Sequence, residues 1–302
     1  MATKLVRTTN LQSSGSRTKL FLKSATTAIL LTAAGTTGVI ATDKSSYNLF
    51  QMTPPELRRT FETDRGVASP YTLDAGAYSF GVSAGYSYRD HTSPGLERIN
   101  ESYDYGSAVL KAGILNNFDL GVMLPYYQTK ETTYKSPFGT DRFRDHGITD
   151  TWLTGKYNFW GNDGGPTAWS LSSLLKFPTA CDEIEPCDDY EGGLDSVFAW
   201  WFYGHAHLRL VNGFLLSDHR YWQSSFCNDI CFYSPPLFSK LNVYCGFDSF
   251  ISTRNRSNWE GQFKAGFIYR LTAALQLFAE SSFGVNGRVP DYRPVIGFDF
   301  RY

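Results

Sequence analysis

The feature that most constrains this chain is a two-residue alternation of apolar side chains, repeated from residue 76 to the last position. In the first run Tyr78, Phe80, Val82, Ala84, Tyr86 and Tyr88 alternate with Ser79, Gly81, Ser83, Gly85 and Ser87. Side chains of a strand point alternately to its two faces, so the pattern gives one apolar face and one of small polar groups. Phe118, Leu120, Val122 and Leu124 repeat it against Asp119, Gly121 and Met123, and the chain closes on Ile296, Phe298, Phe300 and Tyr302. Each run is about ten residues long, which a tilted strand needs to cross a bilayer core.

A soluble sandwich or small barrel would turn the aromatic face inward, whereas a membrane barrel turns it outward. Composition favours the second. Aromatic residues make up 16% of the 302 positions and charged residues only 19%, so the polar face carries Ser and Gly instead of the long ions of a soluble surface. Mean hydropathy is nonetheless slightly negative, because apolar residues are interleaved and not gathered into long helical spans. Lys and Arg number 28 against 29 Asp and Glu, which offers nucleic acid no basic face.

The alternation predicts strands over 76–89, 104–114, 117–128, 149–160, 167–178, 195–204, 206–216, 220–233, 239–251, 259–270, 274–285 and 293–302. The run at 220–233 is weak in pattern and is required by even strand parity. The fold expected is an all-β, transmembrane, antiparallel up-and-down barrel of about twelve strands spanning 76–302. Short links at 115–117, 204–206 and 272–274 would face the periplasm, and long polar loops at 89–104, 127–149 and 178–194 the exterior.

Upstream, Lys4, Arg7, Arg17, Lys19 and Lys23 precede a modestly apolar stretch ending at Ala41, so 1–41 reads as a signal peptide with cleavage before Thr42. Its removal takes five basic residues and no acid, leaving 23 against 29 and a net charge of about −6. Between the leader and the barrel, 42–75 is expected to be a periplasmic tail or a plug. Thr53 as N-cap, Pro54 at the first helical position and Glu56 reaching back predict a short helix over 53–61.

If the apolar face meets lipid, the opposite parity puts Lys111, Asp119, Lys156, Lys176, Lys264, Arg270, Glu280, Asp299 and Arg301 in the lumen. They would act there as a polar filter or as a salt-bridge network filling a narrow barrel. A cation on the lipid face would cost about 2–4 kcal/mol at the midplane, which supports this register. Cys181 and Cys187 could close a local disulfide, as could Cys227 and Cys231, with Cys245 left over or paired across strands to one of the latter two. The cysteine spacings do not suit zinc. His205-x-His207 could hold a metal but is expected to be ordinary turn polarity. His91, His146 and His219 each have an Asp beside them and no nucleophile motif, so neither enzyme activity nor a cofactor is expected.

The string YNLFQMTPPELRRTFETDRGVASPYTLDAG at 47–76 resembles the N-terminal segment of the outer-membrane family named for the MetA pathway of phenol degradation. GITDTWLTGKYNFWGNDGG at 147–165, KFPTA at 176–180, YRLTAALQLFAE at 269–280 and PDYRPVIGFDFRY at 290–302 resemble its later strands and turns. Gly66 follows Asp64-Arg65 where that family usually has Pro, which loosens any rigid role for Asp64 and Arg65 in a plug. The resemblance implies passage of small hydrophobic or aromatic compounds across the bacterial outer membrane. The closing strand ending at Tyr302 looks like the signal read by the outer-membrane barrel assembly machinery.

Overall fold

The computed structural model describes residues 69–302 except 94, 163–164, 181–189, 203–205, 218–222, 239, 254–258, 273 and 287–288. The leader over 1–41, the helix expected over 53–61, and Thr53, Glu56, Asp64 and Arg65 lie outside the described residues.

The strands are β1 (Tyr78–Ser93), β2 (Leu96–Leu115), β3 (Phe118–Leu124), β4 (Tyr127–Ser136), β5 (Gly139–Ile148), β6 (Thr151–Trp160) and β7 (Thr167–Phe177). They continue as β8 (Glu191–Trp201), β9 (His207–Ser217), β10 (Gln223–Tyr233), β11 (Leu241–Ser252), β12 (Trp259–Arg270), β13 (Leu275–Gly284) and β14 (Tyr292–Arg301). Twelve of them close a barrel in the order β1, β2, β3, β6, β7 and onward to β14, which returns to β1. The seam is hydrogen-bonded to its end, with Tyr78 N donating to Tyr302 O at 2.8 Å and Tyr302 N to Tyr78 O at 2.9 Å. Closure pairs each of these twelve strands on both sides, as a hydrocarbon environment demands.

The remaining two strands correct the loop expectation. Residues 89–93 and 96–104 and most of 127–149 are strand, not loop. The lower half of β2 pairs with β3 and its upper half with β4, while β4 pairs with β5 to form a hairpin above the barrel. Pro125 explains the break between β3 and β4, because it has no N–H to continue the ladder. Thr149 staples the break, its N–H donating to Tyr126 O at 2.9 Å and its Oγ1 accepting from Tyr126 N at 3.1 Å. Asp150 then accepts from Thr179 N (2.7 Å) and Ala180 N (2.8 Å) and pairs with Lys176 at 3.2 Å, tying the start of β6 to the end of β7.

Outward positions include Phe80, Leu110, Phe226, Ile230, Phe263, Phe267, Leu277, Ile296 and Phe300, all exposed. Inward positions include Lys111, Asp119, Lys156, Lys176, Lys264 and Asp299, all buried. Rings outside and ions inside invert a soluble protein and suit hydrocarbon around a polar lumen. The chain is thus an outer-membrane β-barrel, with the end at Tyr78 and Tyr302 periplasmic by the rule for such barrels.

Candidate functional site: the lumen

Because side chains alternate, one parity of each strand supplies a column of residues running down the inner wall. On β9 it reads Leu215, Val211, Arg209, His207; on β10, Cys227, Asp229, Cys231, Tyr233; on β11, Phe250, Asp248, Tyr244; on β12, Glu260, Gln262, Lys264, Ile268. Side by side, the columns produce three levels.

The outer level is a vestibule of 520 Å³ with apolar walls from Trp152, Leu174, Val211, Leu215, Phe250 and Val289 and with Asp195 and Glu260 among them. Its floor is an ion network. Arg209 pairs with Asp229, and Lys264 bridges Asp229 at 3.0 Å and Asp248 at 2.7 Å. Arg209 also donates to Tyr233 OH at 2.7 Å, and Gln262 donates to Asp248 at 3.2 Å. One lysine between two carboxylates and an arginine on one of them leaves the level balanced, which buried charges require. A second cavity of 130 Å³ adjoins at Asp248 and Gln262 and is lined by Glu280, Arg293 and Asp299 of the neighbouring strands β13 and β14 and by Asp104 and Lys111 of β2.

The inner level is aromatic. Trp201, His207, Tyr233 and Tyr244 stack across four neighbouring strands, with centroids 4.1, 4.3 and 5.1 Å apart, and Ile268 and Phe278 continue the layer. Tyr244 lies flat because the neighbouring wall residue is Gly266, where a Cβ would sit 2.6 Å from the Tyr244 ring and 2.5 Å from Ala279 O. The Tyr244 hydroxyl thereby reaches Glu280 at 2.9 Å.

Against this layer lies the chain's own N-terminal stretch. Ser69, Pro70, Tyr71, Thr72 and Leu73 are consecutively buried inside the barrel. Lys156 donates to Tyr71 O at 3.2 Å, Asn158 to Pro70 O at 2.6 Å, and Leu73 N to Asp119 at 3.2 Å. Thr72 N donates to Asn162 Oδ1 at 2.9 Å, and the Trp201 indole donates to the Tyr71 hydroxyl. Gly113 makes room for the segment, since a Cβ there would stand 1.9 Å from Asp74 O.

Of the residues expected in the lumen, Asp119 and Lys156 therefore hold this segment, and Lys264 centres the ion network. Lys111, Glu280 and Asp299 line the smaller cavity, with Arg301 on Asp299 at 3.0 Å, and Lys176 pairs with Asp150 and Glu191 near the outer end. Arg270, Glu280 and Arg301 are half-buried. The alternation rule applied to β9, β10 and β11 would also have found Arg209, Asp229 and Asp248. No such rule finds the inward Trp201, Tyr233, Tyr244 and Phe278, which use ring types expected on the lipid side.

The cysteine expectation is corrected in part. Cys227, Cys231 and Cys245 are unpaired. Cys227 and Cys231 are four residue steps apart on one strand, roughly 13 Å at about 3.3 Å per step, far beyond the reach of a disulfide. Cys231 stands opposite Gly246 and points inward, so Cys245 points to the other face. Cys181 and Cys187 lie outside the described residues, as do His205, Asp218 and His219. His207 belongs to the aromatic stack and not to a turn, and among the described residues no cluster of His, Cys, Asp and Glu could hold a metal. His91 is exposed on the outer part of β1, and His146 packs near Tyr127 on the outward face.

By sequence, no protein-family model and no curated protein matches the chain. By structure, it is similar to an outer-membrane channel of Pseudomonas putida F1, at 12% identity and a TM-score of 0.55, over 80% of this chain and all of that one. The NanC porin is similar over 73% of this chain and 98% of its own, at 11% identity and a TM-score of 0.44. The first likeness is one of fold: an antiparallel barrel of the outer-membrane class.

Proposed function

We propose that the barrel is a passive conduit for small hydrophobic or aromatic molecules, with the N-terminal segment as a plug at its periplasmic mouth. The observation that carries this is the layering of the lumen: a vestibule of 520 Å³ lies toward the outer end, and a buried five-residue stretch of the chain, not a wall strand, packs against the aromatic layer toward the inner end. The apolar part of these walls, from Trp152, Leu174, Val211, Leu215, Phe250 and Val289, suits a solute with an aromatic body, the charged floor offers its polar substituents partners, and the resemblance to the phenol-degradation family points to the same class. Transport of this kind needs no energy source or cofactor, and the chain is read as performing no chemistry.

Single-channel recording of the mature protein, with liposome swelling in phenols and in sugars, tests the proposal. Removal of residues 43–75 should raise conductance and speed phenol entry. A barrel that stays silent and impermeable with and without the segment would instead be a structural surface protein with a filled lumen, the reading favoured by the ion network alone. Lipid and peptide hydrolysis assays should remain blank.

A further inference from the structure

Above the lipid-facing belt, on the outward side of the wall, five rings run across four strands: Tyr86, Tyr103, Tyr105, Tyr127 and His146, with successive centroids 5.0, 6.4, 6.0 and 6.2 Å apart. Tyr105 and Tyr127 are about half exposed. At the end of this row the surface sinks into a notch of 480 Å³ lined by Tyr105, Tyr127, Thr129, Arg144 and His146. The carboxylates of the same face are already engaged. Glu131, which stands opposite Arg144 in the ladder, takes the Arg142 guanidinium, and Glu101 accepts from the Tyr86 hydroxyl at 2.6 Å. Arg144 is exposed and has no ion-pair partner among the described residues.

We propose that this notch holds a phosphate of an outer-leaflet glycolipid. The row of tyrosines continues the lipid-exposed surface upward, and rings with a polar tip belong at the level where acyl chains give way to headgroups. An unpaired guanidinium at that level presents the planar fork that recognises phosphate, and Thr129, His146 and the tyrosine hydroxyls supply further polar groups around it. Lipid, and not a soluble anion, is the occupant argued for because the notch opens sideways from the belt and its walls are rings.

Mature protein in a neutral detergent would be titrated with bisphosphorylated lipid A, with the same lipid stripped of phosphate, and with inorganic phosphate, and bound ligand read by native mass spectrometry. The phosphorylated lipid should bind about tenfold or more tightly than the stripped one, the worth of one charge-assisted hydrogen bond. Arg144→Gln should lose that margin, and Lys135→Gln, which lies outside the notch in a pair with Glu97, should keep it. Arg144 is on an exposed hairpin strand, so its replacement leaves the barrel intact, as heat-modifiable migration in SDS gels would verify. Equal binding by Arg144→Gln and the parent protein would overturn the proposal. So would equal binding of both lipids, or inorganic phosphate displacing the lipid at matched concentration.

Discussion

Tyr71→Ala should open the periplasmic end of the lumen. The ring is buried among Trp201, Tyr233, Tyr244, Ile268 and Phe278, and its hydroxyl takes the Trp201 indole hydrogen. Truncating a buried aromatic residue to Ala costs about 3–5 kcal/mol, and the orphaned indole N–H adds about 1–3 kcal/mol. Tyr71 precedes β1, and the barrel is closed by its own seam without it, so the loss falls on docking of the segment and not on the fold. Even at 3 kcal/mol the docked-to-undocked ratio drops by about two orders of magnitude. The backbone anchors to Lys156, Asn158 and Asp119 survive, so opening should be intermittent. Single-channel traces would then show long open dwells that the parent protein lacks, and protease added at the periplasmic face would clip ahead of residue 76. Tyr71→Phe, which keeps the ring, should show a much weaker effect. Unchanged current together with an unclipped segment in Tyr71→Ala would refute the reasoning, because the aromatic floor would not be what holds the segment in place.

Three further outcomes are expected. Gly113→Val should unseat the same segment from its other end, since a Cβ there would stand 1.9 Å from Asp74 O; protease clipping reads this directly. Lys264→Met removes the cation between Asp229 and Asp248 and should destabilise the barrel by about 3–5 kcal/mol in urea unfolding from lipid vesicles, the cost of breaking a buried pair from one side. Maleimides that partition into detergent should label Cys245 readily and Cys231 hardly at all, and mild oxidation should leave Cys227, Cys231 and Cys245 without an intramolecular bridge among them, as intact-mass measurement would record.

The barrel was legible in the sequence because a bilayer imposes the same demand on every strand. Phe263 and Phe267 must face hydrocarbon, Lys264 between them must not, and one residue of slip would exchange them. The hairpin β4 to β5 was illegible for the same reason. Tyr127–Ser136 and Gly139–Ile148 rise beyond the hydrocarbon, where neither face has to be apolar, and the alternation that betrays a strand vanishes. Trp200 and Trp201 show a second limit: they are adjacent and identical, yet one is exposed outward and the other buried in the lumen. Strand parity sets them on opposite faces, but that a ring belongs on the inner one follows only from its neighbours Tyr71 and His207, brought together by folding. Ser69–Leu73 carried no pattern, since most of its anchors are backbone atoms, the Pro70 and Tyr71 carbonyls and the Thr72 and Leu73 N–H groups, and one inward ring, Tyr71, makes no periodicity.

The distance along the chain from the buried Leu73 to Tyr78, where the wall begins, is five residues. If the segment acts as the proposed plug, so short a leash keeps it from drifting off once displaced, and its return is a local event at an effective concentration on the order of millimolar or above. Each passage through the pore would then be followed by self-resealing, and cells carrying many copies would suffer no lasting leak from occasional opening.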